Sequence, residues 1–160
     1  MEIGFGVALA VIGAAVAVIL PGIGSAFGVG MVGEVTSGVI AEDPEKFGKL
    51  LILQALPGTQ GIYGLLAAFL VIMKLGLLGG TPVTVSFNAG LSLFAAVMPI
   101  AIVGLLSALA QAKVAAAAVK IISKKPEEMG KAIILPAMVE TYAVLSLLAT
   151  ILLLNGISVA

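Results

Sequence analysis

The sequence predicts an all-α membrane protein with four transmembrane helices, arranged as two tandem helical hairpins of the same orientation. Three observations predict it: the hydrophobic composition, four long stretches without charge, and an internal repeat. Hydrophobic residues make up 61% of the 160-residue chain and charged residues only 10%, with a mean hydropathy of +1.28. Soluble domains contain about a quarter charged residues, so this composition indicates a chain that resides in lipid.

Each charge-free stretch is long enough to cross a bilayer as a helix, which takes about 20 apolar residues. The stretches cover residues 3–33, 50–73, 75–112 and 141–160. Two charged turns, Glu42–Glu45 and Lys124–Glu127, each carry a proline placed to start the following helix, and a Gly/Pro/Asn-containing loop precedes Asn88. Helices are therefore predicted at about 4–41, 45–78, 88–122 and 127–158.

The two halves of the chain repeat each other at an offset of 82 residues, since Pro126 aligns with Pro44 and 126 − 44 = 82. The same offset aligns Ser25 with Ser107 and Thr59 with Thr141. Two helices per repeat return the chain to its starting side, so the hairpins are parallel, unlike the inverted repeats of many transporters. We expect a first hairpin over 1–82 and a second over 83–160, within one membrane domain.

The distribution of charge predicts the topology. Seven of the eight lysines lie around the two charged turns: Lys46, Lys49, Lys113, Lys120, Lys124, Lys125 and Lys131. The positive-inside rule places these turns in the cytoplasm and both termini outside. The N-terminus lacks the basic segment of a cleavable signal, so the first helix is expected to remain. Balanced charge argues against a nucleic-acid partner, and the absence of Cys and His excludes disulfides and His-ligated metals.

One acid, Glu140, lies in mid-helix, 14 residues past the proline of its turn. An acid at such a depth costs about 2.5–3.5 kcal/mol by insertion scales and is functional by default, which makes a purely structural Glu140 the weaker alternative. The repeat aligns Glu140 with Gly58, so the first hairpin has lost the carboxylate. Thr59, Gln60 and Gln111, 15 or 16 residues from their own prolines, share its depth of about 21–24 Å from the turns.

The second predicted helix contains Pro57-Gly58 inside a stripe at spacing i, i+3, i+4, i+7, formed by Leu56, Thr59, Gln60 and Tyr63. Proline removes a helical N–H and glycine loosens the turn, so the Leu56 carbonyl can turn toward a ligand. A carboxylate with a hydroxyl, amide oxygens and a carbonyl is a hard, oxygen-only set that suits alkali or alkaline-earth cations. One negative charge matches one monovalent ion, and the extra oxygens favour sodium over a proton.

Each polar residue also has a structural interpretation. Thr59 alone can bond to its own helix, Gln60 or Gln111 alone can hold helices together, and Tyr63 can be a packing aromatic; shared depth with Glu140 favours the site.

Three polar residues away from the stripe are assigned structural roles. Gln54 lies nearer the turn, and Glu34 and Lys113 can pair with each other or extend to the interface. Small residues are dense in the first and third helices, which are expected to form the tightly packed layer, with the second and fourth outside.

Three segments, Leu56–Tyr63, Ala110–Lys113 and Met138–Tyr142, resemble the sodium-type rotor-ring subunit of V-type ATPases, called K, c or the proteolipid. The resemblance covers essentially the whole chain, including the duplicated hairpin that has lost one carboxylate. It implies a homo-oligomeric ring in which sodium is bound by Glu140, Gln111, Thr59, Gln60 and the Leu56 carbonyl, with Tyr63 hydrogen-bonded to Glu140. It also implies a multi-pass protein of a prokaryotic cell membrane. Its partners would be lipid, a stator subunit with an essential arginine, and a cytoplasmic central-stalk subunit.

The implied mechanism is that an occupied, neutral site rotates through lipid while an ionised Glu140 cannot, so rotation coupled to ATP hydrolysis or synthesis elsewhere moves ions between half-channels. The chain itself is not expected to hydrolyse ATP, because the glycines at 22–30 are not followed by the Lys-Ser/Thr of a phosphate loop. The nearest alternative is the same rotor carrying protons, and lithium is a further substitute ion. A self-contained transporter and a tetraspan scaffold are weaker alternatives.

Overall fold

The computed structural model describes residues 4–80 and 83–159. The described residues form six α-helices: α1 (Phe5–Glu42), α2 (Phe47–Ala55), α3 (Thr59–Lys74), α4 (Phe87–Ala96), α5 (Met98–Lys124) and α6 (Met129–Gly156). Short 3₁₀ turns at Pro44–Lys46, Leu56–Gly58 and Pro126–Glu128 lead into α2, α3 and α6. The division into hairpins at 82/83 stays a prediction, and residues 81–82 beside it lie outside the described residues.

These elements make four helical segments that are long and apolar enough to cross a membrane: Phe5–Glu42, Pro44–Lys74, Phe87–Lys124 and Pro126–Gly156. The prediction of an all-α protein with four transmembrane helices is confirmed, and the chain is an integral multi-pass membrane protein. The second helix ends at Lys74, earlier than the predicted 78. Gly76 and Gly80 that follow have φ of 67° and 70°, the left-handed conformation that ends helices.

The third predicted helix, 88–122, corresponds to the segment Phe87–Lys124, but it is interrupted, because α4 ends at Ala96 and α5 begins at Met98. Pro99, in the first turn of α5, has no N–H with which to continue the hydrogen bonds of α4. The N–H of the next residue, Ile100, bonds to Thr150 Oγ1 on α6 at 3.3 Å. The interruption thus exchanges helical hydrogen bonds for one with a neighbouring helix.

The most extensive helix–helix contact joins α1 to α5, and α6 packs mainly on α5. Glycines of α1 allow the close approach to α5: a Cβ at Gly24 would lie 2.7 Å from the Leu105 carbonyl oxygen, and one at Gly28 would lie 3.2 Å from the Ala108 carbonyl oxygen. In lipid, where apolar burial does not drive helices together, such contacts supply the attraction. The first and third segments therefore form the close layer, against which the second and fourth segments place their polar residues.

Two lysines join the first charged turn to the second. Lys46 Nζ donates to the Ser123 carbonyl at 2.8 Å, and Lys49 Nζ donates to the Pro126 carbonyl at 3.1 Å. Lys46 also pairs with Asp43 at 2.9 Å, and this hydrogen bond lowers the pKa of the exposed Asp43 carboxyl. The two hairpins are thus connected at the end where the lysines cluster.

Glu34 and Lys113 do not pair with each other. Among residues 4–80 and 83–159, the ion pairs are Asp43–Lys46 and Glu128–Lys131. Glu34 and Lys113 are both exposed on the surface of the single chain.

Candidate functional site

The 3₁₀ turn between α2 and α3 places a backbone carbonyl beside a hydroxyl. Pro57 has no N–H and lies buried against α1, so the regular helix stops at Ala55 and restarts at Thr59. The Leu56 carbonyl accepts hydrogen bonds from the Thr59 backbone N–H and, at 3.0 Å, from the Thr59 hydroxyl. This carbonyl is therefore directed to the same place as the Thr59 side chain.

Two glutamines connect α3 to α5 in the interior. Gln60 Nε2 donates to Gln111 Oε1 at 2.6 Å, and both residues are fully buried. The Thr59 hydroxyl lies 3.3 Å from Gln60 Oε1, which joins the glutamine pair to the turn. Buried amides without partners would be costly, so each amide fixes the orientation of the other.

Glu140 on α6 completes the network. The Tyr63 hydroxyl donates to its Oε1 at 2.6 Å, and Gln111 Nε2 donates to its Oε2 at 3.3 Å. Both carboxylate oxygens thus have a donor, and each donor comes from a different helix. The structure brings together all six predicted site residues: Leu56, Thr59, Gln60, Tyr63, Gln111 and Glu140.

The site has a closed side and an accessible side. The glutamines are fully buried, whereas Glu140 is half-buried and borders a groove of about 440 Å³ on the outer surface of α6. The groove is lined by Ala137, Glu140, Thr141, Val144 and Leu145. A carboxylate at the edge of an apolar groove can receive or lose a small cation without opening the interior.

The first hairpin has no polar counterpart of Glu140 or of Gln111. At the 82-residue offset, Gly58 corresponds to Glu140 and Val29 to Gln111. A Cβ at Gly58 would lie 3.5 Å from Val29 Cγ2, so the two positions are neighbours here as well. A methyl group thus occupies the place of the amide. The first hairpin instead contributes to the network through Leu56, Thr59, Gln60 and Tyr63.

The donors suit a small hard cation. They comprise a single carboxylate, a hydroxyl, amide oxygens and a carbonyl, and in the described part of the chain no three His, Cys, Asp or Glu residues cluster as a metal site. Alkali ions accept such an oxygen set with one negative charge. Gln54, assigned a structural role, has its Nε2 against Gly33 of α1, away from this network.

Sequence reasoning missed one member of the surroundings. Ser25 Oγ on α1 accepts a hydrogen bond from the Gly61 N–H at 2.9 Å, next to Gln60. The only signal in the sequence was the alignment of Ser25 with Ser107, which does not show what either residue contacts.

Comparison with known proteins agrees with the repeat. The chain matches the family of ATP synthase C subunits twice, over residues 12–71 and 94–153, whose starts differ by 94 − 12 = 82. The V-type sodium ATPase subunit K of Enterococcus hirae is 50% identical over 148 residues, which cover 92% of this chain and 91% of that protein. The A-type ATP synthase subunit K of Methanocaldococcus jannaschii is 40% identical over 149 residues, which cover 93% of this chain and 63% of that protein.

Proposed function

Because this chain belongs to the family of ATP synthase C subunits, we propose that it is the ion-carrying subunit of a homo-oligomeric rotor ring in a V-type ATPase, and that its cargo is Na⁺. The observation that carries the proposal is the polar network on Glu140, which joins oxygens from three helices at one depth. The sodium ATPase subunit K of Enterococcus hirae supports the choice of ion. ATP hydrolysis or synthesis belongs to the soluble sector of the enzyme.

The ligands for Na⁺ are the Glu140 carboxylate, the Leu56 carbonyl, the Thr59 hydroxyl and the Gln60 and Gln111 amide oxygens. Hydrogen bonds already hold these groups near one another, so binding exchanges hydrogen bonds for ion contacts with little rearrangement. Tyr63 stays on Glu140 and closes the site. This preorganisation lowers the entropic cost of binding.

Charge neutralisation couples the ion to rotation. With Na⁺ bound the site is neutral and can pass through lipid, whereas an empty, ionised Glu140 at this depth is costly to expose. The emptied carboxylate would be compensated by an arginine of a stator subunit, with ions entering and leaving through separate half-channels. A central-stalk subunit would bind at the lysine-rich turns, on the cytoplasmic side of a prokaryotic cell membrane, with both termini outside.

The test is carbodiimide labelling of Glu140 in the purified ring, with and without Na⁺, over a range of pH. Na⁺ should protect Glu140 near neutral pH, and Li⁺ should be tested as a substitute. A Glu140→Gln ring serves as the unlabelled control. Labelling is also expected to fall at high pH, because the carboxyl loses its reactive proton. If labelling depends on pH alone and Na⁺ has no effect, the rotor carries protons.

Transport by the whole complex provides the second test. Glu140→Gln should abolish coupled ion transport while the ring still assembles, because the amide preserves the shape of the side chain and removes its charge. A transport-competent Glu140→Gln complex would contradict the proposed function and favour a scaffold.

A further inference from the structure

α3 begins inside a transmembrane segment, at the 3₁₀ turn that supplies the Leu56 carbonyl. The first N–H groups of an α-helix have no acceptor within the helix, and the hydrocarbon core has no water to satisfy them. Thr59 N–H bonds to the Leu56 carbonyl within the turn. Gly61 N–H, in the same first helical turn, bonds to Ser25 Oγ of α1 at 2.9 Å. Ser25 therefore caps α3 from a different helix.

The contact is close and buried. Ser25 is only 7% exposed, and a Cβ at Gly61 would lie 3.3 Å from Ser25 Oγ. Gly28, one turn further along α1, lies against Pro57 of the 3₁₀ turn. α1 thus supports both the turn and the beginning of α3, although it supplies no ligand.

Loss of the Ser25 hydroxyl would leave the Gly61 N–H without its acceptor. The replacement within its own chain is the Pro57 carbonyl, four residues back, and that bond would extend the α-helix into the turn. The Leu56 carbonyl and the Thr59 and Gln60 side chains would then change direction together. Glu140 would keep the hydrogen bond from the Tyr63 hydroxyl, which involves neither Ser25 nor Gln60.

The second hairpin contains a counterpart that lacks this role. Ser107, 82 residues after Ser25, is also buried, at 6% exposure. Its hydroxyl donates to the Gly104 carbonyl of its own helix at 3.3 Å. Ala143, the counterpart of Gly61, lies inside the continuous helix α6, so no helix start needs a cap there.

Within residues 4–80 and 83–159, a second helix start is capped from a neighbouring helix in the same way, away from the site. Thr150 Oγ1 of α6 accepts the N–H of Ile100 in the first turn of α5, beyond the interruption at Val97. Thr150 is fully buried and lies 10 residues, or about 15 Å, along α6 from Glu140. Removing this cap disturbs a helix start without disturbing an ion ligand.

We propose that Ser25 is a positioning residue for the ion site: its hydroxyl holds the start of α3 so that the Leu56 carbonyl, Thr59 and Gln60 face the cation. The inference rests on the proposed function, since it concerns the same site. Loss of the Ser25 hydroxyl should weaken Na⁺ binding but not protonation of Glu140, because Na⁺ needs the oxygens of Leu56, Thr59 and Gln60 and a proton does not.

Purified rings of the wild type, Ser25→Ala, Ser107→Ala and Thr150→Val would be compared by carbodiimide labelling of Glu140. The first measurement is the Na⁺ concentration that gives half-protection at fixed pH, and the second is the pH dependence of labelling without Na⁺. Ser25→Ala should need about tenfold more Na⁺, equivalent to about 1.4 kcal/mol. Ser107→Ala and Thr150→Val should stay within about twofold of the wild type, and the pH dependence should be the same in all four rings.

The outcomes separate the two proposals. A wild-type ring that Na⁺ does not protect overturns the proposed function. If Na⁺ protects the wild type and Ser25→Ala needs the same Na⁺ concentration for half-protection, only the role of Ser25 is overturned. The same holds if Thr150→Val raises this Na⁺ concentration as much as Ser25→Ala does, or if Ser25→Ala also shifts the pH dependence of labelling. If the Ser25→Ala ring does not assemble, Ser25→Cys replaces it. The thiol fills the space of the hydroxyl but accepts a hydrogen bond only weakly, so more Na⁺ should still be needed. A Ser25→Cys ring with wild-type Na⁺ protection overturns the inference.

Discussion

Each oxygen of the Glu140 carboxylate has its own donor, Tyr63 on the accessible side and Gln111 toward the interior. The two donors differ in burial, since Gln111 is fully buried and Tyr63 is half-buried. Gln111 also accepts a hydrogen bond from Gln60, so it contacts two other proposed ligands, Gln60 and Glu140. The Tyr63 hydroxyl donates to the carboxylate and is not itself a proposed ligand, and we propose that Tyr63 closes the site after the ion enters.

Tyr63→Phe should therefore weaken ion retention without removing a ligand. A hydrogen bond of this kind contributes about 1 kcal/mol, so half-protection of Glu140 should require about fivefold more Na⁺. The measurement is carbodiimide labelling of the purified ring. Tyr142→Phe is the matched control, because Tyr142 is 65% exposed on the outer face of α6. Equal effects of the two substitutions would show that Tyr63 does not close the site.

At the scale of helices, four prolines of the transmembrane segments have two different effects. Pro21 and Pro136 lie inside the unbroken helices α1 and α6, whereas Pro57 and Pro99 accompany interruptions. Proline removes the same N–H in every case. Past each of the two interruptions, a neighbouring helix presents a hydroxyl to an N–H of the restarted helix, as Ser25 and Thr150 do.

The sequence predicted a distorted helix at Pro57-Gly58, but it did not predict the interruption of the helix at Val97. A sequence shows where an N–H is missing. It does not show whether an acceptor on another helix makes the interrupted form the more stable one.

Pro57→Ala should reduce sodium binding by repairing the helix. Alanine restores an N–H that can bond to the Leu53 carbonyl, and the Leu56 carbonyl can then accept from the Gln60 N–H four residues on. The Na⁺ concentration for half-protection should rise about tenfold. Pro99→Ala, at the interruption beyond Val97, should leave it unchanged. Sodium protection that survives Pro57→Ala intact would mean that the turn does not supply a ligand.

At the scale of the whole molecule, duplication has produced two similar hairpins that carry different side chains at the positions of Glu140 and Gln111. The position of the carboxylate is held by Gly58 in one and Glu140 in the other, and the amide position by Val29 and Gln111. The Thr59 hydroxyl bonds to the Leu56 carbonyl at 3.0 Å, and its counterpart, that of Thr141, to the Met138 carbonyl at 2.8 Å. Both hairpins therefore retain this hydrogen bond, while the second alone has a carboxylate at the shared position.

A carboxylate returned to the first hairpin should be poorly tolerated. Gly58→Glu would place an acid near Val29 Cγ2, at a cost of about 2.5–3.5 kcal/mol by insertion scales. Ring yield after detergent extraction should fall, and the added substitution Val29→Gln should recover part of it by supplying a donor. Gly58→Ala is the control, since its Cβ would make only an ordinary contact. A normal yield of Gly58→Glu alone would contradict this account.

The sequence by itself determined the quantities that depend on counting along a helix. Helical rise is constant, so composition and spacing were enough to predict four spans, the repeat, and the shared depth of Glu140, Gln111, Thr59 and Gln60. Rotation about each helix axis and the choice of neighbours depend on side-chain packing between helices, which local sequence does not encode. Only the tertiary structure therefore decided which donor meets each carboxylate oxygen, that Glu34 and Lys113 stay apart, and that Ser25 caps α3.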